Sequence, residues 1–183
     1  PDKNKTLDET RRSLQILAQT VPTGSDELFF LPYLLGDRSP IYHAAARGVF
    51  FGLKITHKQA HLVRASMEGV LFALYSIAKV LEENNLPIKT IYAGGGFAQS
   101  GFWVKMLADV FNTKVVLNES IENSAFGAVI VGWKAIGIIN SLQEADKLIQ
   151  PSMILEPDLE KHKIYHQNFA VFERLYQKLK DEF

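Results

Sequence analysis

Three consecutive glycines, Gly94, Gly95 and Gly96, follow the β-like stretch Thr90-Ile91-Tyr92-Ala93 and precede a segment with helical character. Giving up side chains there serves one of two ends: a tight turn, or close approach of another group to the backbone. The spacing excludes both common phosphate loops. A Rossmann fingerprint starting at Gly94 needs glycine where Gln99 stands. A Walker A loop starting at Gly96 needs lysine after Gly101, where Phe102 stands. What is left is a strand-to-helix turn, whose backbone N–H groups and helix N-terminus can face an anion or a flat ligand.

Other chemically capable residues are sparse. His57 and His61 stand four apart, the spacing of two zinc ligands on one helical face. A metalloprotease pair needs Glu after the first histidine, and Lys58 is there. Two polar residues in a first helical turn are the simpler reading. Asp37-Arg38 fits a turn cap or local ion pair, with a ligand hydroxyl as the alternative. Glu68 lies beside an apolar helix face, as a satisfied structural carboxylate does. Ala125, Gly127, Ala128 and Gly132 leave one flank of a helix nearly bare, either for close helix packing or for a sliding interface. No Ser/His/Asp triad, metal cluster or catalytic carboxylate pair stands out, so no catalytic or metal-binding residue is assigned.

These residues need elements to position them. Thr6-Leu7-Asp8-Glu9 has capping-box spacing and opens a helix to about Gln19. The apolar run 28–35 reads as buried and extended, with Pro32 excluding a regular helix. Thr56-His57-Lys58-Gln59, a second capping-box pattern, opens the longest helix, over 57–83. Val63, Met67, Val70, Leu71, Leu74, Ile77, Ala78 and Leu81 recur along it at helical spacing. A strand at 89–93, a helix at 101–111, a strand at 114–117 and a helix at 124–136 then alternate in the manner of an α/β layer. A short helix after Asn140 and a long one over 159–179 complete the chain.

The 183 residues suit one well-buried domain. Net charge is zero and hydrophobic residues make up 47%. No basic stripe suggests nucleic acid, and no polybasic or strongly apolar segment suggests a membrane. There is no cysteine, which excludes disulfides and thiolate metal sites and suits a cytoplasmic protein.

Several stretches together resemble the C-terminal domain of the FGGY carbohydrate kinases. GVFFGLKITHKQAHLVRASME, residues 48–68, is similar to that family's second signature at each constrained position. Gly48 is its small residue, Phe50 its large apolar one and Gly52-Leu53 its paired positions; His61-Leu62 and Ala65-Ser66-Met67-Glu68 close it. LFFLPYLLGDRSPIYHAAARG resembles the corresponding segment of gluconate and xylulose kinases, with a slight lean to gluconate. GGGFAQSGFWVKMLADVFNTKVV resembles their adenosine-binding turn, and ENSAFGAVIVGW the small-residue helix after it. The resemblance is best over 28–133; a helical segment is expected at 141–183, within a single domain 1–183.

The resemblance implies an actin-like (ribonuclease H-like) ATPase fold, α/β in class, forming the C-terminal part of a two-domain sugar kinase. It implies that Gly95 and Gly96, with Gly94 adjacent, face ATP, that Ser100 makes a polar nucleotide contact, and that Ala125, Gly127, Ala128 and Gly132 lie near an interdomain hinge. Mg²⁺ would arrive through the nucleotide phosphates. The expected partners are ATP, a sugar or sugar acid (gluconate favoured) and an N-terminal kinase domain; a homodimer is compatible. The family's Gly-Asp catalytic segment and phosphate hairpins are not found in this chain, which is thus expected to supply the adenosine half-site without the catalytic base. Asp37 stands where Glu is usual, and His43 where Asp is common. A xylulose kinase, or a non-enzymatic nucleotide- or partner-binding module of the same fold, are the alternatives.

Overall fold

The computed structural model describes residues 6–118, 123–147 and 151–183. Its first helix, α1 (Leu7–Gln19), opens on the expected capping box. Thr6 Oγ1 accepts from the Glu9 N–H at 3.2 Å, and the Glu9 carboxylate accepts from the Thr6 N–H at 2.8 Å. Two short antiparallel strands follow, β1 (Phe29–Leu31) and β2 (Val49–Phe51), with Phe30 opposite Phe50 and their ring centroids 4.4 Å apart. The apolar run 28–35 is buried at four of its eight positions, Leu28, Phe29, Leu31 and Tyr33. The strand ends before Pro32, and only Leu34 and Leu35, at the end of the run, face outward.

Helix α2 (Gln59–Glu83) begins two residues later than its capping pattern suggests. Thr56 does not cap it; the Lys58 N–H donates to His61 Nδ1 at 3.1 Å, so the pattern is shifted and a histidine supplies the acceptor. The helix crosses β1 so closely that a Cβ at Gly69 would lie 2.2 Å from the Phe30 carbonyl oxygen. Phe72 projects from α2 into the core, where its ring meets Tyr165, Phe169 and Phe172 at centroid distances of 6.1, 6.0 and 5.6 Å. Those three belong to the last long helix, α5 (Leu159–Leu179), capped by Asp158.

Between them runs the α/β layer. Strand β3 (Ile91–Ala93), helix α3 (Gly101–Phe111) and strand β4 (Val115–Asn118) form a parallel β-α-β unit, with Ile91 opposite Val115. Helix α4 (Asn123–Ala135) follows. Strand β5 (Pro151–Leu155) adds to β4 in antiparallel sense, giving the order β3-β4-β5. The segment 141–183 is therefore not helical throughout: a 3₁₀ turn, Leu142–Lys147, and β5 precede α5, and residues 148–150 lie outside the described ones. Val104, Leu107 and Val110 of α3 and Val115 of β4 are buried in the same core as Phe72.

Candidate functional site

Strand β3 ends at buried Ala93, and the chain turns through Gly94–Gly96 into a 3₁₀ turn, Gly96–Gln99, that leads directly into α3. The glycines do different work. Gly95 has φ 74° and ψ −161°, a backbone region essentially reserved for glycine, so the turn itself requires it. Gly96 has no such backbone demand. It is exposed, and a Cβ placed on it would meet nothing within 4 Å. Neither its backbone conformation nor packing within the chain reserves this position for glycine.

Ser100 ends the turn. It is buried, and its Oγ accepts from the Trp103 N–H at 3.3 Å, making it the N-cap of α3. Beside the turn opens a cleft of about 660 Å³, between α1, α2 and the start of α3. Leu14, Val63, Met67, Val70, Phe97 and Trp103 make its walls apolar, with Arg11, Arg12, Gln15 and Gln99 supplying polar groups and Gly96 lying on its lining. Phe97 and Trp103 stand with ring centroids 5.2 Å apart. The buried Trp103 Nε1–H has no hydrogen-bond partner among the described residues. An apolar concavity of this size with a few polar groups suits a flat heterocycle of nucleoside dimensions.

A buried polar network braces this region. Glu68 Oε1 accepts from Arg64 Nε at 2.7 Å and from the Gly24 N–H at 3.0 Å, while Oε2 accepts from Ser25 Oγ at 2.8 Å. Arg64 also donates to the Tyr165 hydroxyl at 2.7 Å, and its guanidinium lies 5.0 Å from the Phe102 ring centroid. Glu68 is thus a satisfied structural carboxylate. Burial pushes its pKa above the ordinary carboxylate value, with the Arg64 charge and the three donors opposing. Burial likewise raises the Tyr165 phenol. The Arg64–Glu68 pair is visible in sequence as an i,i+4 pair; Ser25, Tyr165 and Phe102, far apart in the chain, carry no comparable signal.

The remaining candidates disperse. His57 lies before α2, not on it; its ring stacks on His61 at 4.9 Å, and His61 Nε2 sits 3.0 Å from the Asp26 carboxylate. Among the described residues no three His, Cys, Asp or Glu side chains are grouped to hold a metal ion. Asp37 caps its turn by accepting from the Ile41 N–H at 3.0 Å, and His43 Nδ1 lies 3.1 Å from the Tyr176 hydroxyl. Ala125, Gly127, Ala128 and Gly132 are exposed, and a Cβ at either glycine would touch nothing within 4 Å. The close packing within the chain that such a stripe could serve is not present at those positions.

Known proteins share this fold. A family model described as the C-terminal domain of the FGGY family of carbohydrate kinases matches residues 2–136. The chain belongs to the FGGY carbohydrate kinase family. A gluconokinase of Bacillus subtilis (strain 168) is 39% identical over 168 residues, which are 91% of this chain and 33% of that one. The crystal structure of ligand-bound xylulose kinase from Lactobacillus acidophilus superposes with TM-score 0.89 at 32% identity, covering 97% of this chain and 36% of that one. The gluconate kinase from Lactobacillus acidophilus gives TM-score 0.87 at 34% identity, covering 94% and 35%. The fold is accordingly that of the FGGY C-terminal domain, of the actin-like ATPase class. The chain spans about a third of the length of the curated relatives it matches. Among the described residues, no helix is long and apolar enough to cross a membrane.

Proposed function

We propose that this chain is the nucleotide-holding part of a cytoplasmic carbohydrate kinase that transfers the ATP γ-phosphoryl group to a hydroxyl of gluconate. The bareness of Gly96 carries the reading: an exposed position that neither backbone nor packing reserves for glycine sits on the lining of a nucleoside-sized cleft. In this reading the backbone of Gly94–Gly96 lies against the adenosine and proximal phosphates. The apolar walls hold the base, and the Ser100 hydroxyl, whose oxygen caps α3, directs its free proton toward the nucleotide. Positioning and charge stabilisation dominate phosphoryl transfer, so a half-site without a base is a coherent part of such an enzyme. Mg²⁺ would enter with the phosphates and neutralise charge developing on them. The carboxylate that takes the sugar proton, and most sugar contacts, would belong to a preceding domain. The exposed flank of α4, with Ala125, Gly127, Ala128 and Gly132, is suited to slide against that domain on closure.

The gluconate assignment rests on the Bacillus subtilis gluconokinase; the fold likeness to the xylulose kinase keeps xylulose as the second reading. The test is a coupled ADP-release assay on the kinase containing this sequence, with gluconate, xylulose and other polyols side by side. Turnover of gluconate is expected; turnover of xylulose with none of gluconate replaces the first assignment by the second. The isolated 183 residues should transfer no phosphoryl group to any sugar. Transfer by the isolated chain would disprove the half-site reading.

A further inference from the structure

The glycine turn is held mainly by its own neighbours. The Ala98 N–H donates to Gly95 O at 3.1 Å, the Ser100 N–H to Phe97 O at 3.2 Å, and Phe97 packs on Trp103 six residues on. Its orientation relative to the cleft is therefore set by where the first turn of α3 sits. Phe102 lies in that first turn and presents its ring to the Arg64 guanidinium of α2 at 5.0 Å. Arg64 cannot wander: Glu68 and Tyr165 hold its nitrogens at 2.7 Å each, and its side chain is 5% exposed. A fixed, desolvated cation over an aromatic face is the strong form of this contact.

We infer that Arg64 is a positioning residue for nucleotide binding, acting through the face of the Phe102 ring to fix the start of α3 and hence the turn at Gly96. The inference rests on the nucleotide reading above. Arg64 touches no nucleotide in this scheme; it sets the wall against which one lies. Arg64 and Glu68 stand as an i,i+4 pair on α2, and the geometry gives that pair a task beyond satisfying burial.

The experiment measures the dissociation constant of ADP for the kinase containing this sequence by titration calorimetry, with thermal melting in parallel. Phe102→Leu keeps apolar volume and removes the ring face; it should weaken ADP binding about five-fold. Phe102→Trp, which restores an aromatic face, should return the affinity to within about two-fold of wild type. A merely structural role would make affinity follow melting temperature across both variants; the positioning role makes it follow the presence of the ring. Unchanged ADP affinity in Phe102→Leu, or equal weakening in both variants, overturns the inference. Gly96→Val separates the two readings. If it abolishes ADP binding while Phe102→Leu does not change it, the nucleotide site stands and the Arg64 inference falls. If the wild-type kinase binds no ADP, both fall.

Discussion

Ser25 donates its hydroxyl to Glu68 at 2.8 Å, joining residues 43 positions apart inside the core. With the Gly24 N–H on the other oxygen, this bond holds a stretch in which Gly24, Ser25, Asp26 and Glu27 all have positive φ, between 51° and 88°. Three of these are L-residues in a conformation they adopt at a cost, sustained by surroundings that over-determine it. Glu68→Gln leaves the buried Arg64 charge without its partner and should destabilise the domain by about 3–5 kcal/mol. Ser25→Ala removes one hydrogen bond to a charged group and should cost less, about 1.5–3 kcal/mol. Urea denaturation checks the order; a Glu68→Gln variant as stable as wild type contradicts the network.

Gly69→Ala should be among the more damaging single-methyl additions available. The added Cβ would lie 2.2 Å from the Phe30 carbonyl, which is backbone and cannot rotate aside. Moving α2 away from β1 is the only relief, and overpacking of this kind costs about 1–3 kcal/mol. A denaturation midpoint equal to wild type would show that α2 and β1 are less tightly apposed than described.

Gly96→Val reverses that pattern. Nothing lies within 4 Å of the added Cβ, so stability should stay within about 0.5 kcal/mol of wild type. The KM for ATP of the full kinase should rise about ten-fold or more, equivalent to about 1.4 kcal/mol of lost binding. An unchanged KM would return Gly96 to being part of a turn and nothing else.

Alkaline pH should unfold the domain. Burial raises the phenols of Tyr165 and Tyr33 above the ordinary tyrosine value. The unfolded chain ionises its tyrosines near pH 10, where the folded chain keeps these protons. Above that pH the unfolded state binds fewer protons than the folded one, so stability falls as pH rises. The stabilisation is complete below about pH 10 and is lost progressively on approach to the folded pKa values. Urea midpoints between about pH 8 and 11.5 test this. Tyr165→Phe should flatten part of the slope while weakening the hold on Arg64; a flat wild-type profile would contradict the assignment.

Local signals in the sequence specified local structure well. The Thr6 capping box, the bounds of α3 and α5, and the alternation through β3 and β4 follow from caps, breakers and periodicity acting over a few residues. β2 and β5 were not legible because short strands owe their state to partners. Val49–Phe51 pairs with β1, and Pro151–Leu155, which opens on proline, lies on the sheet edge against β4. At the site, sequence located the glycines without distinguishing them. Only the backbone angles of Gly95 and the empty space around Gly96 separate the residue the turn needs from one that neither backbone nor packing reserves for glycine. The resemblance implies a nucleotide contact for Ser100; its place as the cap of α3 depends on where the helix starts. The links from Glu68 to Ser25 and from Arg64 to Tyr165 span too much chain for any local pattern to show them.

The open space around Gly96 also bears on how a cell would handle errors there. Chaperones and proteases sort proteins by how often they unfold, and a lesion at Gly69 raises that frequency. A lesion at Gly96 does not, because no neighbour is displaced. On the proposed function, such a protein would escape removal as unfolded and compete with working copies while holding its nucleotide poorly.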